Sequence, residues 1–144
     1  MAISAPSVGA ICAAFAGPLL YKFGINGALL HFFGPSWIGK TTVLSGAASV
    51  WGGGETDGRN KYIRTWQATT VGVEAIASLH SDTLAVLDEL HLCDPRVLDP
   101  VIYAFANGHG KSRGNVHAGL RPTKNWRVMG LSSGAASQYT NLAC

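Results

Sequence analysis

No acidic residue follows Asp99 in this chain of 144 residues. Residues 100–144 carry five basic side chains and no carboxylate, a net charge of +5, whereas residues 1–99 carry six basic and eight acidic ones, a net charge of −2. A basic stretch with no acids of its own invites an anionic partner; the plain alternative is a basic tail whose acidic partners lie on another chain. Charge is scarce overall, 13% against 47% hydrophobic residues, which is the composition of one globular domain with a sizeable core. Cysteine is scarce too. Cys12, Cys93 and Cys144 form no C-x-x-C pair and are odd in number, so a disulfide framework is excluded and free thiols in a reducing, cytoplasmic compartment are expected. His91 and Cys93 lack further ligands at zinc spacing and read as loop or packing residues. The apolar run from Val8 to Leu20 has no basic region before it, is too short to span a bilayer and is broken by Gly17-Pro18. Neither a G-x-G-x-x-G dinucleotide turn nor an N-K-x-D guanine signature occurs.

What is present centres on Gly34-Pro35-Ser36-Trp37-Ile38-Gly39-Lys40-Thr41-Thr42, the G-x-x-x-x-G-K-T spelling of a phosphate-binding loop. Its glycines let the backbone aim several N–H groups at phosphate oxygens. Lys40 adds a positive charge for the β- and γ-phosphates, and Thr41 offers a hydroxyl to Mg²⁺. The apolar run 28–33 before it reads as a buried strand and residues 40–51 after it as a helix, whose dipole turns its positive end to the same phosphates. A plain glycine turn that happens to carry a lysine is the competing reading.

A second signal is Thr83-Leu84-Ala85-Val86-Leu87-Asp88-Glu89, an apolar strand ending in two carboxylates. On a parallel strand beside a phosphate loop, Asp88 is placed to hold Mg²⁺ and Glu89 to act as general base on the attacking water. Between these signals, 62–69 reads as a strand and 71–80 as a helix capped by Thr70, with Glu74 complementing the helix dipole. Asp94-Pro95 opens a helix that runs to about Ala106. Residues 108–125 are polar, Gly-rich and basic, a hairpin or loop in which Lys111, Arg113, His117, Arg121 and Lys124 suit nucleic-acid phosphates, or simply a solvated face. A last strand, 126–131, ends in Ser132-Ser133-Gly134, where either serine can orient the water near the γ-phosphate. The N-terminal residues 5–16 read as a helix, so the division is a helical segment (1–26), a core (27–134) and a tail (135–144).

The order of these blocks resembles the helicase-like ATPase domain of unknown function found in phage, plasmid and mobile-cassette primase–helicase proteins. The resemblance rests on Gly34-Pro35-Ser36 with Gly39-Lys40-Thr41-Thr42, Ala47-Ala48-Ser49-Val50-Trp51-Gly52, Arg64-Thr65-Trp66-Gln67-Ala68-Thr69, Val73-Glu74-Ala75-Ile76-Ala77, Leu87-Asp88-Glu89-Leu90, Tyr103-Ala104-Phe105-Ala106-Asn107-Gly108 with Gly110-Lys111-Ser112-Arg113, and Trp126-Arg127-Val128 with Leu131-Ser132-Ser133-Gly134. It implies an α/β P-loop NTPase with a three-layer core similar to AAA+ and superfamily 3 helicases, ATP and Mg²⁺ as cofactors, and single-stranded DNA of a mobile element as partner. It further implies a strand carrying Ser132-Ser133 between those of the phosphate loop and the acidic pair. Such cores work as ring oligomers, often hexameric, with an arginine reaching the neighbour's γ-phosphate; Arg113, Arg121 and Arg127 are the candidates. The chain departs from the family in Trp37-Ile38, in Ala135 where a glutamate is usual, and in ending before a fifth strand and helical lid, which makes a fragment or reduced gene product the expectation. A small-molecule kinase or a nucleotide-binding remnant without turnover are the alternatives.

Overall fold

The computed structural model describes residues 4–35, 38–53, 61–110 and 123–135. Among them four parallel strands form one sheet in the order β1-β4-β3-β2, with β1 at Gly27–Phe33, β2 at Arg64–Thr65, β3 at Leu84–Asp88 and β4 at Val128–Gly134. Among the described residues helices α1 (Ala5–Ala16), α2 (Lys40–Ser49), α3 (Thr70–Leu79) and α4 (Pro95–Asn107) accompany the sheet, with short 3-10 turns at Gly17–Leu19 and Leu90–Leu92. None of the described helices is long and apolar enough to cross a membrane.

The pleat sorts the side chains into two cores. On one face of the sheet Leu84 and Val86 of β3 and Leu131 of β4 meet Ala10 and Ala14 of α1 and Leu44, Ala47 and Ala48 of α2. The alanines let α1 and α2 approach closely, and Trp51 fastens the pair by donating its indole N–H to the Ala14 carbonyl. On the other face Ala85, Leu87 and Val128 pack against Val73 and Ala77 of α3 and Leu98, Val101 and Phe105 of α4, with Trp66 and Trp126 filling the corners. The α4 residues follow the i, i+3, i+7 spacing of a helical stripe. Thr69 caps α3 by accepting from the Gly72 amide and Asp94 caps α4 by accepting from the Arg96 amide.

Several boundaries differ from the sequence expectation, among them the start of α3, which is capped by Thr69 and not by the expected Thr70, itself the first residue of the helix. The expected strand over 62–69 shrinks to Arg64–Thr65: the Trp66 amide still donates to the Asp88 carbonyl, and the chain then turns, the Ala68 amide donating back to the Trp66 carbonyl. The last strand starts later, at Val128, and absorbs Ser132-Ser133-Gly134 in full, since all three pair with β1. Glu74, expected in the first turn of the helix as a complement to its dipole, is buried beside Gly110 and Trp126.

Helix α4 ends on Gly108, whose φ of 75° lies in the left-handed region and whose missing side chain makes room for the Trp126 carbonyl, 2.6 Å from where a Cβ would stand. Gly108→Ala is therefore expected to lower stability by about 2 kcal/mol in urea unfolding. Gly46→Ala, in the middle of α2 with open space at the Cβ position, is expected to raise it by up to about 1 kcal/mol. Equal effects at the two positions would contradict this account of the α4 terminus.

Candidate functional site

All four strands run the same way, so their C-terminal ends share one rim, and there the loops after β1, β3 and β4 converge on a cavity of about 390 Å³. Gly39, Lys40, Thr41, Asp88, Glu89 and Ser133 line it, joined by His91, Gly134 and Ala135. Crevices outside the carboxyl ends of parallel strands are where α/β sheets place their ligands.

The loop after β1 enters α2 through Gly39, whose φ of 79° is a left-handed conformation that glycine adopts without strain. Lys40, the first residue of α2, folds back to donate its ammonium hydrogens to the Gly34 and Pro35 carbonyls at 2.8 and 2.7 Å. Gly34 is itself hemmed in by Ile38, whose Cδ1 lies 2.6 Å from where a Cβ would sit. Thr42 is exposed on the first turn of α2 and lies outside the cavity lining. Ser36 and Trp37 fall outside the described residues.

Asp88 is the organising acid. Its Oδ2 accepts from the Thr41 hydroxyl at 3.0 Å, and its Oδ1 accepts from the Glu89 amide at 2.9 Å and from the Ser133 hydroxyl. Three donors from three segments hold the carboxylate in a single orientation. Because Thr41 and Ser133 spend their protons on Asp88, their oxygen lone pairs face outward. The set offers hard oxygen donors, one of them anionic, of the type magnesium prefers. Glu89, next in sequence, has a left-handed backbone (φ 60°, ψ 57°), an uncommon conformation for a residue with a Cβ that concentrates at functional sites. Its side chain is exposed at the cavity.

The two serines part company. Neighbours on a strand point to opposite faces. Ser133 shares the face of Asp88 and reaches the cavity, whereas Ser132 points toward α3 and α4. There the fully buried Ser132 hydroxyl accepts from the Trp66 indole N–H at 2.8 Å and pairs with His31 Nδ1 at 3.0 Å. His91, read from the sequence as a loop or packing residue, sits in the lining; its position two residues past Glu89 was the available signal.

Burial, and secondarily the Lys40 charge, hold the His31 imidazole below its usual pKa. A histidine whose folded pKa is depressed is stabilising when neutral: its contribution is present above about pH 6.5, the unfolded value, and is lost as pH falls below it. Thermal midpoints are expected to drop between pH 7.5 and pH 5.5, and His31→Gln is expected to flatten part of that slope. An unchanged slope in the variant would show that His31 binds its proton equally well in the folded and unfolded states. His80, depressed mainly by burial and then by Arg64, acts in the same direction.

The other candidates lie elsewhere. Arg127 precedes β4 at the opposite rim, paired with Asp82 at 3.4 Å and with its guanidinium carbon 4.8 Å from the centre of the Tyr21 ring. Lys124 is exposed beside it, its carbonyl accepting from the Gly110 amide. His109 and Asn125 form an isolated antiparallel bridge, so the two ends of the basic stretch meet there. Lys111, Arg113, His117 and Arg121 fall outside the described residues.

A solved structure titled "SCCmec type IV Cch - active helicase" is similar to this chain, with a TM-score of 0.64 and 27% sequence identity. The similarity covers 94% of this chain and 24% of that one, so this chain spans about a quarter of the helicase's length. No curated protein matches. The parallel α/β sheet is thus of a helicase-like kind. The profile of a family described as a domain of unknown function (DUF927) matches residues 5–125, and the chain belongs to that family.

Proposed function

We propose that this chain is the Mg²⁺-dependent, ATP-binding and ATP-hydrolysing P-loop core of a helicase-like motor acting on DNA in mobile-element replication. The observation that carries the reading is the meeting of Lys40, Thr41, Asp88, Glu89 and Ser133 at one cavity on the C-terminal rim of the sheet. The likeness to an active helicase supplies the motor half of it.

In this reading Lys40 exchanges its two carbonyl partners for phosphate oxygens, which keeps its ammonium hydrogens bonded while neutralising charge. Thr41 and Asp88 would hold Mg²⁺, which supplies further neutralisation of the phosphates when bound. Glu89 takes a proton from a water whose oxygen attacks the γ-phosphorus; the bond from that phosphorus to the β-bridging oxygen breaks, leaving ADP and inorganic phosphate. Ser133, bonded to Asp88, is the serine placed to follow the γ-phosphate, and Ser132 supports it from the far face of β4. Turnover then shifts the loops after β3 and β4 and, through β4, the basic stretch that leads into it.

The test is release of inorganic phosphate from ATP by the chain and by Lys40→Ala, with and without Mg²⁺ and a single-stranded oligodeoxynucleotide. Expected are metal dependence, stimulation by the oligonucleotide, and a loss of about a hundred-fold or more in the variant. Turnover that is the same in Lys40→Ala as in the parent would sink the nucleotide site. Turnover that is indifferent to DNA but rises with a small hydroxyl acceptor would favour a kinase.

A further inference from the structure

A second cavity, of about 400 Å³, lies at the opposite rim of the sheet, where β1 and β4 begin. Among the described residues Asn26, Asn107, His109, Asn125 and Arg127 line it together with Ser81, and no carboxylate does. Asp82, just outside, is engaged with Arg127. The side-chain amides of Asn26 and Asn125 offer the donor and acceptor types that complement a nucleobase edge, while that of Asn107 donates to the Tyr103 carbonyl. Arg127 brings the positive charge, and its buried Nε has no hydrogen-bond partner. Its guanidinium carbon lies 4.8 Å from the centre of the Tyr21 ring, and Tyr21 is 70% exposed, so an aromatic surface stands next to Arg127. Amides that read edges, a cation for phosphate and an exposed ring for stacking are the parts from which single-strand sites are built.

Position supports the same occupant. The cavity sits at the root of the basic 111–122 stretch, between the bridged residues His109 and Asn125. Seven-residue strands separate it from the Lys40–Asp88 cavity, a span of roughly 20 Å. A nucleic-acid strand held here leaves the ATP cavity open.

We propose that this cavity holds one nucleotide of a single-stranded nucleic acid, with its base stacked on Tyr21, its edge met by Asn26 and Asn125, and its phosphate by Arg127. The assignment rests on the motor reading and adds to it a defined seat for the strand.

The test uses the whole chain and a fluorescein-labelled oligothymidylate in fluorescence anisotropy titrations over a range of salt. Asn26→Ala combined with Asn125→Ala is expected to weaken binding about ten-fold without changing the dependence of log affinity on log salt, because no charge is removed. Tyr21→Ala, a surface change, is expected to weaken it by a similar factor. With 5-iodouracil in the oligonucleotide, irradiation is expected to cross-link Tyr21. Affinities within about two-fold of the parent in both variants, a steeper or shallower salt slope in the double variant, or cross-links confined to other residues would overturn the assignment. If the parent binds but the variants bind equally well, the cavity falls and the motor reading stands. If the parent binds no single strand, both fall.

Discussion

Glu89→Gln is expected to lower ATP turnover by about two to four orders of magnitude while leaving nucleotide affinity within about three-fold of the parent. The amide has the shape of the carboxylate and keeps the backbone bond from residue 89 to Asp88, but it cannot accept a proton from water. Phosphate release in single-turnover mode and titration with a fluorescent ATP analogue separate the two effects. A rate within about three-fold of the parent would remove Glu89 from the chemistry. Glu89→Gly supplies an independent check. Glycine occupies the left-handed backbone at this position without strain, so this variant is expected to gain about 1 kcal/mol of stability while losing turnover. Stability and activity moving in opposite directions at one residue is the signature of strain kept for function.

The largest expected stability effect lies at Trp66. Its ring is fully buried among α3, α4 and the sheet, and its indole N–H is a hydrogen-bond donor to Ser132. Trp66→Ala is expected to cost about 3–5 kcal/mol and to lower the thermal midpoint by about 10 °C. Trp66→Phe retains most of the packing and loses the donor, for a cost of about 1–2 kcal/mol. Urea unfolding of the two variants checks both figures. A Trp66→Ala cost below about 1.5 kcal/mol would mean that the ring fills no defined space. Because Ser132 adjoins Ser133 on β4, the variants also report how firmly the cavity wall depends on its far side: turnover in Trp66→Phe falling much further than stability would mark Ser132 as a positioning residue for Ser133.

Much of the fold was legible before any coordinates. Gly39-Lys40 marked the start of α2, Asp94-Pro95 that of α4, and Asn107-Gly108 its end. These signals are carried by a few adjacent residues whose backbone preferences and capping chemistry act locally. The phosphate-loop spelling and the Leu84–Asp88 run named Lys40, Thr41, Asp88 and Glu89, and those four do meet at one cavity. The expectation that they share a rim needed only parallel strands.

What tertiary structure alone decided is of another kind. Ser132 and Ser133 are chemically alike and adjacent, and choosing between them requires the phase of the β4 pleat, which one residue of register inverts. That phase is set by pairing with β1 and β3, about a hundred and about forty-five residues away in the chain. The same long-range pairing cut the expected second strand to two residues, drew His91 into the lining, buried Glu74 beside Gly110 and carried Arg127 to the far rim against Tyr21 and Asp82. It also made the amide-lined cavity, from residues at 26, 81, 107–109 and 125–127 that share no local motif. Local chemistry is written in neighbouring letters; which distant letters become neighbours is settled by the packing of the whole chain.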